Sequence, residues 1–107
     1  MGRIGRASLV WTRPALDSLL NITRYTQADK PSAARRFAAR IKGKVGRLQT
    51  FPQSGREVPE FPSGGLREVL VADYRIIYRF MKSQNTVQIL AVHHGARLLD
   101  VTPTADD

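Results

Sequence analysis

The side chains best suited to act on a charged partner are arginines and a pair of histidines. Arg75 and Arg79 stand four residues apart in the apolar stretch Tyr74–Phe80, His93 and His94 are adjacent, and Arg97 follows just after Gly95. The planar fork of arginine grips phosphate or carboxylate at two points. Histidine is the side chain whose ordinary pKa places a proton transfer near neutrality. Each also has a plainer use. Arg75 and Arg79, with Ile76 and Ile77 between them, could line the exposed face of a strand or pair with Glu68. Adjacent residues on a strand point to opposite faces, so His93 and His94 cannot both serve one site. Arg56 and Arg67 suit carboxylate pairing that ties a loop to a sheet.

Other chemistries are missing. The chain has no cysteine, which removes disulfides, thiolate nucleophiles and cysteine-based zinc sites together. Two adjacent histidines lack a third ligand at a useful spacing, so no metal site is expected. There is no Gly-rich phosphate loop opening a helix, and no Ser/His/Asp arrangement stands out. No cofactor is expected.

The charge points to the class of partner. The 107 residues carry 17 Lys+Arg against 9 Asp+Glu, a net charge of +8, and arginines outnumber lysines 13 to 4. Residues 1–56 hold 12 basic and 2 acidic side chains, whereas residues 57–107 hold 5 and 7. Such asymmetry suits a polyanion or an acidic protein that masks the surface. No apolar run approaches the roughly 18 residues that span a bilayer, and the N-terminus lacks the pattern of a signal peptide. The expectation is one cytoplasmic domain over 1–107, with its core at about 7–99, a tail at 100–107 and no membrane partner.

The elements follow from the spacing. Ala7–Trp11 reads as an edge strand. Thr12 caps a helix with Pro14 in its first turn, and Leu16, Leu19, Leu20 and Thr23 carry the helix to about Thr26. After a turn at Gln27–Lys30, Pro31 opens a second helix. Its apolar stripe is Ala34, Phe37, Ala38, Ile41, Val45 and Leu48, flanked by Arg35, Arg36, Arg40, Lys42, Lys44 and Arg47. Gly43 and Gly46 fall on the solvent side. Residues 51–56 and 59–65, rich in Pro, Gly and Ser, form an ordered loop. Strands Leu66–Val71 and Tyr74–Phe80 flank a tight turn at Ala72-Asp73, and Val87–His93 follows as a third. The fold class is α+β, β-α-α-β-β-β, an antiparallel helical hairpin on one face of a small antiparallel sheet.

The segments WTRPALDSLLNITRY, AARRFAARIKGKVGRL, FPQSGREVPEF, LREVLVADYRIIYRF and VQILAVHHGARLL occur in the order typical of one family. From Val10 to Leu99 the chain resembles the RelE/ParE superfamily, the toxins of type II toxin–antitoxin systems, and is closer to the ParE-like branch. Its tightest pieces are Tyr74-Arg-Ile-Ile-Tyr78 and His94-Gly-Ala-Arg97. The resemblance implies growth arrest, and a cognate antitoxin with a DNA-binding domain and an acidic toxin-binding segment. It also implies one of two targets: DNA gyrase for ParE-like members, the ribosome and its mRNA for RelE-like ones.

The RelE-like reaction would need cations for the phosphorane and a carrier for the proton. Arg75 and Arg97 match arginines of those enzymes, and His93 and His94 sit at the end of the last strand, where some relatives keep a histidine. The lysines of the preceding strand are replaced by Leu66, Arg67 and Glu68, and no tyrosine follows Tyr78. The reading expected here is therefore a gyrase inhibitor with no chemistry of its own. Its target surface would be Arg75, Arg79 and Arg97, and its antitoxin surface Arg35, Arg36, Arg40, Lys44 and Arg47. The alternatives are a ribosome-dependent mRNA endonuclease using Arg75, His94 and Arg97, and a non-toxic nucleic-acid-binding homologue.

Overall fold

Thr12 is where the chain turns from strand to helix. Its hydroxyl donates to the carbonyl of Ile89 at 2.8 Å, and its own carbonyl accepts the first helical bond, from the Leu16 N–H at 3.0 Å. Strand β1 (Ser8–Trp11) precedes it and helix α1 (Arg13–Asp29) follows. A computed structural model describes residues 5–95, apart from the side chains of residues 26–29. The expected site residue Arg97 and the expected tail at 100–107 lie outside the described residues.

Helix α1 runs three residues past its expected end, and Lys30 alone separates it from α2 (Pro31–Thr50). The proline explains the short joint. Its ring excludes the residue before it from helical conformation, and Lys30 is extended at φ −144°, ψ 93°. Helix α2 buries Ala34, Phe37, Ile41, Val45 and Leu48. Ala38, expected in the same stripe, is exposed, because its flank opens on a groove rather than on the sheet.

The rest of the sheet is β2 (Arg56–Glu57), β3 (Arg67–Val71), β4 (Tyr74–Met81) and β5 (Thr86–His94), in spatial order β1-β5-β4-β3-β2. Strands β2 to β5 pair antiparallel, as the turn spacing predicts. Strand β1 joins β5 in parallel, with Ser8 opposite Thr86 and Trp11 opposite Ile89, so the sheet is mixed rather than wholly antiparallel. The hairpin covers one face, where Phe37, Ile41, Val45 and Leu48 meet Val71, Ile76, Tyr78, Val87, Ile89 and Val92.

The second face has a smaller core. Val58, Leu66 and Ile77 are buried there with Phe61, Leu90 and Ala91 against them, so the loop between β2 and β3 acts as a cover. A register shift between Ile77 and Tyr78 leaves Leu90 as an extra residue on β5, so that Leu90 and its neighbour Ala91 both pack on this second core.

Candidate functional site

The cover is tied to the sheet by ions. Glu68 on β3 is fully buried, and its carboxylate lies between two arginines: Arg56 of β2 donates to one oxygen, and Arg75 of β4 donates through Nε to the other at 2.7 Å. Arg75 also makes a two-point bond to Glu60 in the cover, Nη1 and Nη2 each 2.7 Å from a carboxylate oxygen. The Arg75 side chain is 8% exposed. The hydrogen bond to Glu60 raises its pKa above the usual arginine value; burial opposes this, and Glu68 adds to the rise. Two arginines and two carboxylates thus cancel where a bare strand would have shown a cation. Arg67, which the sequence suggests for another carboxylate, instead donates to the Gly55 carbonyl at 2.7 Å.

Tyr78 ties down the loop between α2 and β2. Its hydroxyl donates to the Pro52 carbonyl at 2.8 Å and accepts the Gly55 N–H at 2.9 Å. Gly55 must be glycine, because a Cβ there would stand 2.6 Å from the tyrosine oxygen and 2.8 Å from the Glu68 carbonyl. Burial raises the Tyr78 pKa above 10.0, and the Gly55 N–H only partly offsets this. A phenol harder to ionise in the folded than in the unfolded chain adds stability below its unfolded pKa, and that stability is lost as pH rises through the folded value. The melting temperature should therefore fall more steeply above about pH 10. Tyr78→Phe should melt lower at neutral pH, by about 1–3 kcal/mol of stability, with a shallower alkaline fall. Parallel melting curves for the two proteins would mean that Tyr78 does not govern this range.

The other expected site residues do not converge on one centre. Arg79 is half-buried, its Nε 2.6 Å from the Gln88 side-chain oxygen across the β4–β5 ladder. His93 sits opposite Arg75, and His94 opposite Tyr74. His94 packs edge-on to Tyr74 with centroids 5.2 Å apart, and Tyr74 in turn packs on Phe37. His94 borders two open pockets at the sheet's end. One, of about 360 Å³, includes Arg56, Asp73 and Arg75; the other, of about 320 Å³, includes Ser18 and Asn21. Arg75 and His94 therefore border one pocket, but the arginine's donors point into carboxylates. No group of three or more metal-ligating side chains occurs among the described residues.

Sequence reasoning missed one sizeable concavity. An apolar groove of about 620 Å³ runs between β1 and the two helices, lined by Leu9, Trp11, Leu16, Leu19, Ile41 and Val45, with Arg6 and Lys42 at its rim. Leu16, Leu20 and Val10 are exposed large apolar side chains on these elements. The sequence shows only that α1 and β1 are rich in apolar positions; which of them stay uncovered is set by the packing.

The cations of α2 divide about this groove. At about 3.6 residues per turn, Arg35 and Lys42 share its flank with Ala38 and Gln49. Arg36, Arg40, Lys44 and Arg47 make a ridge on the other side. All six are exposed, and none forms an ion pair with a carboxylate among the described residues.

Residues 9–99 match the family described as the ParE toxin of the type II toxin–antitoxin system, parDE. A protein of Sinorhizobium fredii named "Putative toxin Y4kP" is 38% identical over 96 residues, covering 86% of this chain and 92% of that one. Among solved structures, the chromosomal ParDE system of P. aeruginosa superposes with a TM-score of 0.66 at 26% identity, covering 83% of this chain and 96% of the other. The RelBE2 complex of Mycobacterium tuberculosis shares the fold, with a TM-score of 0.60 at 23% identity over 83% and 98% of the two chains.

Proposed function

Because the chain belongs to the ParE toxin family of type II toxin–antitoxin systems, we propose that it arrests growth by binding DNA gyrase and performs no catalysis of its own. The observation that carries this reading is the neutralised cluster at Arg75. A phosphoryl-transfer site needs donors aimed at the charge that develops in the transition state. Arg75 instead directs Nε and both terminal nitrogens at Glu60 and Glu68. Arg75 thus shapes the target-binding surface from within, and Arg79 and Arg97 are assigned to direct contact.

Purified protein should inhibit gyrase supercoiling or trap cleaved DNA, and should leave mRNA on programmed ribosomes intact. His94→Ala should arrest growth as the parent does. Ribosome-dependent mRNA cuts that fall by about 10²–10⁴ in His94→Ala would replace this reading with the endonuclease one.

Neutralisation is assigned to a cognate antitoxin seated in the groove between β1, α1 and α2. An amphipathic acidic segment fits it, with apolar side chains against Trp11, Leu16 and Leu19 and carboxylates toward Arg6, Arg35 and Lys42. The solved ParDE and RelBE relatives are themselves toxin–antitoxin systems, which supports a partner of this kind.

A further inference from the structure

We propose that the ridge Arg36, Arg40, Lys44 and Arg47 is a second interaction surface that binds the phosphate backbone of duplex DNA without regard to sequence. This inference is independent of the target assigned above.

The ridge lies on the side of α2 away from the groove, so a partner seated in the groove leaves it open. Its four cations recur at spacings of four, four and three residues and form one line of about 16 Å at 1.5 Å per residue. All four are exposed and unpaired with carboxylates among the described residues. From Lys30 to Arg56 the chain carries eight basic side chains and no acidic one, so α2 itself supplies nothing to neutralise the line. Like charges at these spacings cost helix stability, and no carboxylate among the described residues pairs with them to offset that cost.

The glycines point the same way. Gly43 and Gly46 are exposed or partly so, and a Cβ on either would meet nothing within 4 Å. Each costs the helix about 1 kcal/mol relative to Ala, and no packing demand calls for it. What Gly43 provides is a low point of backbone beside the ridge, where a flat polyanion can come close; Gly46 lies on the groove side. Three of the four cations are arginines, whose forks match phosphate. Among the described residues α2 exposes no aromatic side chain, and one exposed ring, Phe51, stands at its C-terminal end, so the row of stacking platforms on which single-strand binders rely is missing here. Duplex DNA, which offers phosphates and keeps its bases stacked, fits the surface best.

The test is binding of the full chain to a short duplex of mixed sequence, read by fluorescence anisotropy across salt. Each cation that neutralises a phosphate contributes about −0.9 to the slope of log affinity against log salt, so the ridge accounts for a slope of about −3.6. Between about 50 and 200 mM salt the parent should therefore lose about a hundredfold more affinity than a variant with all four ridge residues changed to Gln. A control variant removes the same charge elsewhere, at the exposed Arg13, Arg24, Lys30 and Lys82. It should keep at least about two-thirds of the parent's slope. All eight changes are at exposed positions, so circular dichroism should match the parent and neither variant should melt below it. Equal loss in the two variants would mean that net charge alone draws DNA, and would overturn the proposal. So would tighter binding to single strands than to the duplex, or a ridge variant that binds DNA normally and fails only toward the antitoxin.

Discussion

Glu68→Ala should destabilise the protein by about 3–5 kcal/mol, the range found when one partner of a buried ion pair is removed. The whole stability of a domain this size is about 5–15 kcal/mol, so the variant should be largely unfolded in mild denaturant and poorly soluble at growth temperature. The physical reason is the position of the carboxylate. It is wholly inaccessible to water and sits between Arg56 and Arg75, so its loss leaves Arg75 buried with Glu60 as its remaining anion. A double variant, Glu68→Leu with Arg75→Met, should recover most of the loss, because similar apolar volume removes the stranded charge. Urea midpoints of the three proteins decide the matter. A change of under about 1 kcal/mol in Glu68→Ala would show that the network behaves like a surface pair. The same reasoning bears on Arg75→Ala. Lost growth arrest in that variant counts as evidence about a target surface only if the fold survives.

The second large effect concerns neutralisation. Leu16→Glu should leave growth arrest intact while the cognate antitoxin fails to reverse it, its affinity falling by about a hundredfold, which is about 2.7 kcal/mol. Leu16 lines the groove beside Trp11 and Leu19 and is 41% exposed in the free protein. Folding should therefore tolerate the change, whereas a partner burying that position would meet an uncompensated carboxylate beside its own acidic side chains. Calorimetric titration and a co-expression plate assay report the two halves separately. Full rescue at unchanged affinity would remove the groove as the antitoxin's seat.

Much of this was legible in the sequence. The stripe of α2, the hairpin around Ala72 and the order of the long elements follow from periodicity and turn residues. Arg56 as a loop anchor and the pairing of Arg75 with Glu68 follow from alternation on neighbouring strands. What stayed hidden depends on distance along the chain. Strand β2 is two residues long and has no period to detect. The parallel pairing of β1 with β5 joins residues about as far apart as the chain permits. Glu60 looks like any loop carboxylate until the cover folds back, and the Tyr78 hydroxyl gives no sign in one dimension that Pro52 and Gly55 will meet it. The groove escaped notice because apolar positions on α1 read as core, and only the finished packing shows which of them the core leaves uncovered.

The parallel pair also sets when in its own synthesis the protein can become active. Strand β5 lies between β1 and β4 and is the last strand made among the described residues. Until Thr86–His94 has emerged, β1 has no neighbour, Thr12 has no Ile89 carbonyl to bond, and the hairpin has only part of a surface to pack on. Contacts that close so late make folding slow and leave the growing chain with exposed apolar side chains. A chain released before Thr86 holds both helices and every cation of the α2 ridge, yet lacks the middle of its sheet. An interrupted ribosome should thus release fragments that are cleared as unfolded protein, and harm to the cell should begin only with a finished molecule.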